Sequence, residues 1–159
     1  MIPERILAHD PRLPQVLRLI QTEFADMDRR IDPPSSMHRL TLDSLATEAE
    51  TDEIWAMGTP PGACVILTPK PGRLYIGKLA VAKPLRGTGL ARHLMHHAEV
   101  RALDLGLAVL ELQTRVELVE NHATFRALGF EERERTAHAG YDRPTSITFQ
   151  KRLSATAKV

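Results

Sequence analysis

The spacing of hydrophobic residues predicts two helices in the first third of the chain. After Asp10-Pro11, apolar side chains recur close to the 3.6-residue period of a helix, at Val16, Leu17, Ile20 and Phe24. We take Asp10 as the cap of this helix and Pro11 as its first residue. A second helical pattern follows the proline-rich stretch 32–36, with apolar positions at Leu40, Leu42, Leu45 and Ala46. Each helix therefore has one apolar face to bury against other elements.

Beyond residue 52 the pattern changes to short apolar runs that are typical of strands. Six runs predict strands, at about 53–58, 63–68, 73–82, 107–114, 130–136 and 146–152. Turns rich in Pro and Gly, at 59–62 and 69–72, join the first three strands as hairpins. A long helix follows the third strand and ends near Leu105, with its apolar face at Leu90, Leu94, Ala98 and Ala102. We therefore predict an α/β protein, α+β by strict definition, with a mixed, mostly antiparallel central sheet flanked by helices.

The turn between the third strand and the long helix has the composition of an anion site. It contains Arg86-Gly87-Thr88-Gly89, and the helical pattern begins directly after it. Glycine allows backbone conformations that a Cβ would forbid and lets a ligand approach the main chain closely. The free N–H groups of such a turn and of the new helix attract anions, and the helix dipole reinforces them. Because Arg86 adds a positive charge, the turn predicts a site for phosphate or pyrophosphate.

Two common nucleotide-binding loops do not fit this turn. A P-loop needs Gly-Lys-Ser/Thr after its glycines, and a dinucleotide fingerprint needs a small residue where Arg92 stands. The pattern Arg-x-x-Gly-x-Ala, formed by Arg86, Gly89 and Ala91 after Leu-Ala-Val, instead resembles the acyl-CoA pyrophosphate loop of the GNAT superfamily of N-acetyltransferases. A later strand, a short helix over about 120–128 and the closing Gly129-Phe130 also resemble this family. The resemblance covers about residues 73–135.

This resemblance implies a GNAT-like fold that transfers an acetyl group directly from acetyl-CoA to the amine of a small-molecule acceptor. In the family, the strand before the loop offers main-chain groups to the pantetheine arm, and the loop amides hold the pyrophosphate. Asn121 could either cap the short helix or bind the cofactor arm. The cofactor-binding positions expected from the resemblance are Leu79, Ala80, Val81, Arg86, Gly87, Thr88, Gly89, Leu90, Ala91, Arg92, Asn121 and Phe125.

The chain departs from the family at positions that carry proton transfer. Phe125 stands where many members have a tyrosine that protonates the CoA thiolate, and Gln113 stands where some have an acidic base. Catalysis then rests either on positioning alone or on substitute residues. As substitutes, Tyr141 and His138 are candidate proton donors in the polar loop 137–144. Glu117 is a candidate base, with Glu120 as a second carboxylate near the start of the short helix.

The segment 29–38 lies where family members shape the acceptor pocket. It offers Arg30, Ser35, Ser36 and His38 as candidate substrate-binding side chains, and the loop 137–144 adds Arg143. The two arginines suggest an acceptor that bears a carboxylate or a phosphate.

Composition narrows the remaining choices. The 159 residues, 43% of them hydrophobic, are enough for one sizeable core, so we expect a single GNAT-like domain over 1–159. A net charge of +1 indicates neither nucleic acid nor an anionic membrane as a partner. Without a long apolar segment the protein is expected to be soluble and cytoplasmic. The single cysteine, Cys64, is expected to be a buried thiol in a strand.

A metal site, the alternatives to an enzyme and the oligomeric state remain to be considered. His93 and His97 are four residues apart on the predicted long helix, with His96 beside them, so a pair of metal ligands is geometrically possible. No acidic or cysteine residue stands nearby as a third ligand, so we expect a solvated helix face and no metal. The alternative to an enzyme is a non-catalytic acyl-CoA-binding sensor or regulatory module, since Phe125 and Gln113 replace the usual proton-transfer groups. A dinucleotide-binding domain is a weaker third reading. The sequence leaves a homodimer open.

Overall fold

Seven strands form one sheet in residues 1–154, the part of the chain that this computed structural model describes. The strands are β1 (Glu4–Ile6), β2 (Glu53–Met57), β3 (Ala63–Lys70), β4 (Arg73–Val81), β5 (Val109–Arg115), β6 (Glu131–Thr136) and β7 (Ser146–Arg152). The α-helices are α1 (Leu13–Asp28), α2 (Leu42–Thr51), α3 (Leu90–Asp104) and α4 (Val119–Ala127). Short 3-10 turns cover Ser36–Arg39 and Lys83–Leu85.

The sheet has the strand order β1-β2-β3-β4-β5-β7-β6. Every neighbouring pair is antiparallel except β4 and β5, which run parallel. This arrangement confirms the predicted mixed, mostly antiparallel sheet flanked by helices. The two hairpins predicted from the Pro/Gly turns are the β2–β3 and β3–β4 pairs.

Helices cover both faces of the central strands. Along β3, Cys64 and Ile66 pack into the core under α1 and α2, while Val65 and Leu67 pack into the core under α3. Successive side chains of a strand point to opposite faces, so a strand buried on both sides needs an uninterrupted apolar run. The run 63–67 satisfies that requirement, and all five residues are buried.

The parallel pair β4–β5 separates soon after it forms. Its only register pairs are Leu74 with Leu110 and Tyr75 with Glu111. Directly beyond them β4 contains a bulge, where three steps from Gly77 to Ala80 face two steps on β3. Lys78 lies within the bulge with a left-handed φ of 50°. Bulges bend a strand and increase its twist, and here the bend accompanies the opening between β4 and β5.

The N-terminal part contains one strand that was not predicted, and one prediction about it is wrong. Strand β1 was not predicted, because its three residues are too few to show a period. Helix α1 begins at Leu13 with Arg12 as N-cap and Pro14 in its first turn. The Asp10 carboxylate accepts the Arg12 main-chain N–H (2.8 Å) and its Nε–H (3.0 Å), so it stabilises the turn before the helix instead of capping it.

None of the helices within residues 1–154 is both long enough and apolar enough to cross a membrane.

Candidate active site

A cleft of about 800 Å³ opens where β4 and β5 diverge. One wall is β4 from Tyr75 to Val81, and the other is β5 from Leu112 to Arg115. The end of α1, the loop after it and the start of α4 complete the walls. Because β4 no longer pairs with β5 here, the main-chain groups on that edge of β4 face the cleft instead of a neighbouring strand.

The predicted anion-binding turn lies at one end of this cleft. Gly87 and Gly89 have φ of 80° and 88°, and Gly89 is the N-cap of α3 in the left-handed conformation. A Cβ at either glycine would meet no atom within 4 Å, so these positions require glycine for its backbone freedom and not for space. No side chain caps α3, which leaves the N–H groups of its first turn available to a ligand.

The cleft brings together seven of the twelve predicted cofactor-binding positions. The seven that line it are Leu79, Ala80, Val81, Arg86, Ala91, Asn121 and Phe125. The other five form the adjoining turn and the start of α3, namely Gly87, Thr88, Gly89, Leu90 and Arg92. The Thr88 hydroxyl donates to the main-chain oxygen of Leu85 (2.5 Å) and so helps to close the turn.

Arg86 is held by a carboxylate that the sequence analysis missed. Its guanidinium forms an ion pair with Glu23 of α1, and Glu23 also accepts the main-chain N–H of Lys83 (3.3 Å). Glu23 is 8% exposed and lines the cleft. The sequence signal that could have indicated a buried Glu23 is its position three residues after Ile20, on the apolar face of α1. The charge of Arg86 is therefore partly balanced before any anion binds.

At the other end, the cleft is lined by polar side chains of β5 and β7. Leu110 and Leu112 point into the core under α3, so Gln113 and Arg115 lie with alternating residues of β7 on the opposite face. Gln113 donates through Nε2 to the Thr148 hydroxyl (3.2 Å). Arg115 donates to the main-chain oxygens of Pro33 (2.6 Å) and Pro34 (3.3 Å). Arg115 was not among the predicted site residues, because its partners are about 80 positions away in sequence.

Asp32 ties the loop after α1 to the loops on the opposite side of the cleft. Its carboxylate accepts from the Tyr141 hydroxyl (2.7 Å) and from Arg143 (3.1 Å). Its main-chain N–H donates to Glu117 (3.1 Å). The hydrogen bond to Asp32 raises the pKa of Tyr141 above its ordinary value. Three predicted site residues, Tyr141, Arg143 and Glu117, therefore hold this loop, and none of them lines the cleft.

A second link in the same region joins Arg30 and Glu120. The two form an ion pair in which Nη2 of Arg30 lies 2.8 Å from Oε2 of Glu120. The Arg30 hydrogen bond lowers the pKa of Glu120 to about 2. Glu120 is therefore ionised and already engaged, which makes it a poor proton acceptor. Both residues line the cleft.

The remaining predicted substrate residues lie near the end of α1. Ser35 and Ser36 line the cleft. Ser35 caps the short turn that follows it by accepting the Met37 main-chain N–H (3.1 Å). His38 contacts Asp28 through Nε2 (2.7 Å) and does not line the cleft.

Of the three predicted catalytic residues, Tyr141, His138 and Glu117, His138 alone lines the cleft. It is half-buried, and its Nδ1 is hydrogen-bonded to the Thr145 hydroxyl. The same hydroxyl accepts the His138 main-chain N–H (2.9 Å). Burial, and next the charge of Arg115, lowers the pKa of His138 from its ordinary value. This shift favours the neutral imidazole.

Aromatic packing explains the position of Phe125. Its ring contacts Phe130 and Phe149, with centroids 6.1 and 6.0 Å apart.

Tyr75, which the sequence analysis did not consider, lines the cleft, and burial raises the pKa of its phenol. Asn121 does not cap α4, because the N-cap is Leu118 and Asn121 lies inside the first turn.

The histidines of α3 differ from the predicted solvated face in one respect. His97 packs edge-on against Trp55, with ring centroids 4.2 Å apart, and its Nε2 is buried without a hydrogen-bond partner. His93 and His96 are exposed. Within residues 1–154 there is no group of three or more side chains placed to hold a metal ion.

Comparison with known proteins agrees with this architecture. Solved structures similar to the chain include an IAA acetyltransferase from Bacillus cereus (21% identity, 96% of this chain and 99% of that one, TM-score 0.66). A second is a GNAT family acetyltransferase from Elizabethkingia anophelis with acetyl-CoA bound (15% identity, 95% of this chain and 97% of that one, TM-score 0.68). A third is an acetyltransferase from Streptococcus agalactiae (16% identity, 95% of this chain and 97% of that one, TM-score 0.73). No curated protein sequence matches the chain. The model of the acetyltransferase (GNAT) family matches residues 17–130, and the chain therefore belongs to that family.

Proposed function

We propose that this protein transfers an acetyl group from acetyl-CoA to the amine of a small-molecule acceptor. The observation that carries the proposal is the continuity of one cleft between two features. The unpaired edge of β4 runs along it, and the uncapped N-terminus of α3 lies at its end. An acyl-CoA has a matching pair of features, an amide-containing arm and a pyrophosphate.

The residues at the α3 end suit a pyrophosphate. The N–H groups of the first turn of α3 would donate to the pyrophosphate, and the helix dipole favours negative charge there. Arg86 adds a cation whose direction is set by Glu23. The edge of β4 between Gly77 and Val81 offers N–H and C=O groups to the pantetheine amides, as an added strand would need.

The proposed chemistry needs a neutral amine, a stabilised oxyanion and a departing thiolate. Bound acetyl-CoA would supply the activated acyl group. Main-chain N–H groups of β4 that face the cleft would donate to the carbonyl oxygen as negative charge develops on it. With Nδ1–H donating to Thr145, His138 keeps a lone pair on Nε2 and would take the proton that the attacking amine loses. Phe125 has no proton to give, so the thiolate would leave as such and be protonated by solvent.

The alternative is an acyl-CoA-binding module without turnover. It is favoured by Phe125, whose ring is packed among other aromatics, and by Gln113, whose amide is engaged with Thr148. Release of free CoA on addition of amines separates the two functions, because the module would bind acetyl-CoA and leave the thioester intact.

The test uses Ala91, the second residue of α3, which lines the cleft. Ala91→Glu adds a negative charge where the pyrophosphate is proposed to bind. A carboxylate in the first turn of a helix is favourable, so folding should be preserved. Ala91→Gln is the matched control of equal size without the charge. We expect calorimetry to show acetyl-CoA binding that weakens at least about tenfold in the glutamate variant relative to the glutamine variant, a difference of about 1.4 kcal/mol.

Three results would count against the proposal in different ways. If the native protein does not bind acetyl-CoA, the function is wrong. If both variants bind equally, the pyrophosphate does not lie at α3. If acetyl-CoA binds but no amine releases thiol, the binding module is the better description.

A further inference from the structure

We propose that Arg115 is an anion anchor in the acceptor site, and that the acceptor is an amine carrying a carboxylate. This inference rests on the proposed acetyltransferase function and names the substrate class of the same site. It differs from the expectation formed on the sequence, which assigned that role to Arg30 and Arg143.

The first step is that both expected arginines are already neutralised. Arg30 forms an ion pair with Glu120, and Arg143 forms one with Asp32 at 3.1 Å. An incoming carboxylate would have to displace a protein carboxylate from either guanidinium and would gain little.

Arg115 has a different environment. Its Nη1 and Nη2 donate to the main-chain oxygens of Pro33 and Pro34, which are neutral acceptors. Among residues 1–154 no carboxylate forms an ion pair with it. Glu117, two residues after Arg115 in the turn that follows β5, accepts the Asp32 N–H through Oε2 and makes no ion pair with Arg115 either. A guanidinium has five N–H donors, so the two carbonyl bonds leave donors for a ligand.

The position of Arg115 in the cleft indicates which kind of ligand it would bind. The residue lines the cleft at the end of β5, two positions after Gln113 on the same face of the sheet. Ser146, its register partner on β7, and the half-buried His138 line the cleft beside it. A partly desolvated cation needs a counter-ion, and the planar fork of arginine matches a carboxylate with two parallel hydrogen bonds. The proton acceptor proposed above therefore lies next to the anchor.

The two carbonyl bonds have a second effect that the test must separate. They fasten the Pro33-Pro34 segment, so any loss of Arg115 also loosens the loop. A loosened loop would slow every acceptor alike. A lost anchor would slow only acceptors that carry the anion, and the ratio between matched acceptors isolates it.

The experiment measures CoA release from acetyl-CoA with free L-amino acids, each paired with its carboxamide. We expect the native protein to prefer at least one free acid over its amide by roughly 10- to 150-fold in kcat/KM, the range for a hydrogen-bonded charge pair. Arg115→Gln should abolish that preference, chiefly through KM, and Arg115→Lys should keep part of it. Arg133→Gln, on the exposed strand β6 outside the cleft, is the control that should keep the native ratio.

Several results overturn the inference. It is wrong if amides are used as well as acids, if the preference survives in Arg115→Gln, or if Arg143→Gln removes it while Arg115→Gln does not. It is also wrong if only amines without a carboxylate release thiol. These outcomes differ from failure of the proposed function, which calorimetry reports separately as a native protein that does not bind acetyl-CoA. Acetyl-CoA binding by Arg115→Gln shows that this variant is folded.

Discussion

The buried carboxylate at the α3 end of the cleft allows a quantitative prediction about stability. Glu23→Gln preserves the shape of the side chain and removes the charge that holds Arg86. The Glu23 side chain is 10% exposed and that of Arg86 is 51% exposed. Hydrogen bonds to charged groups contribute about 1.5–3 kcal/mol, and the exposed half of the pair is screened by solvent. We therefore expect the free energy of unfolding to fall by about 1–2 kcal/mol.

Urea unfolding followed by circular dichroism measures this change in the free energy of unfolding. In thermal unfolding the Tm should fall by roughly 2–8 °C for a chain of this length. Glu131→Gln is the matched control, because Glu131 pairs with Arg133 but its side chain is 72% exposed. The free energy of unfolding of this variant should equal that of the native protein within experimental error. A double-mutant cycle with Arg86→Gln isolates the pair itself. Equal losses in Glu23→Gln and Glu131→Gln, or a coupling of zero in the cycle, would refute the reasoning that burial makes this pair matter.

Two further predictions concern proton transfer and the thiol assay. If His138 is the proton acceptor, kcat should rise with pH through a pKa lower than that of an ordinary histidine and then level, and His138→Asn should lose this limb; an unchanged profile in the variant would exclude the role. Cys64 is fully buried and burial raises its pKa to about 12, so dithionitrobenzoate should find no reactive thiol in the native protein and one per chain after unfolding. Rapid reaction of the native protein would contradict the burial and would invalidate the CoA-release assay.

Much of the fold follows from local patterns. The run 63–67, the apolar stripe of α1 and the glycine turn before α3 each depend on residues close together in sequence. Periodicity therefore predicts six strands and the long helix near their observed bounds. The signal fails where an element is too short, as in β1, or where two start signals compete, as with Asp10-Pro11 and Pro14.

The candidate site likewise has features that depend on near neighbours in sequence and features that depend on distant ones. By itself the sequence determined the conformation of the turn proposed to bind the pyrophosphate, because the left-handed Gly87 and Gly89 and the uncapped start of α3 are properties of one short segment. Only the tertiary structure decided the partners of the arginines on the proposed acceptor side, where Arg143 pairs with Asp32 from 111 residues away. Within residues 1–154 the Arg115 guanidinium donates to the main-chain oxygens of Pro33 and Pro34 and forms no ion pair. Backbone conformation is set by near neighbours, whereas the counter-ion of a long, flexible side chain is set by which loops the folded sheet brings together.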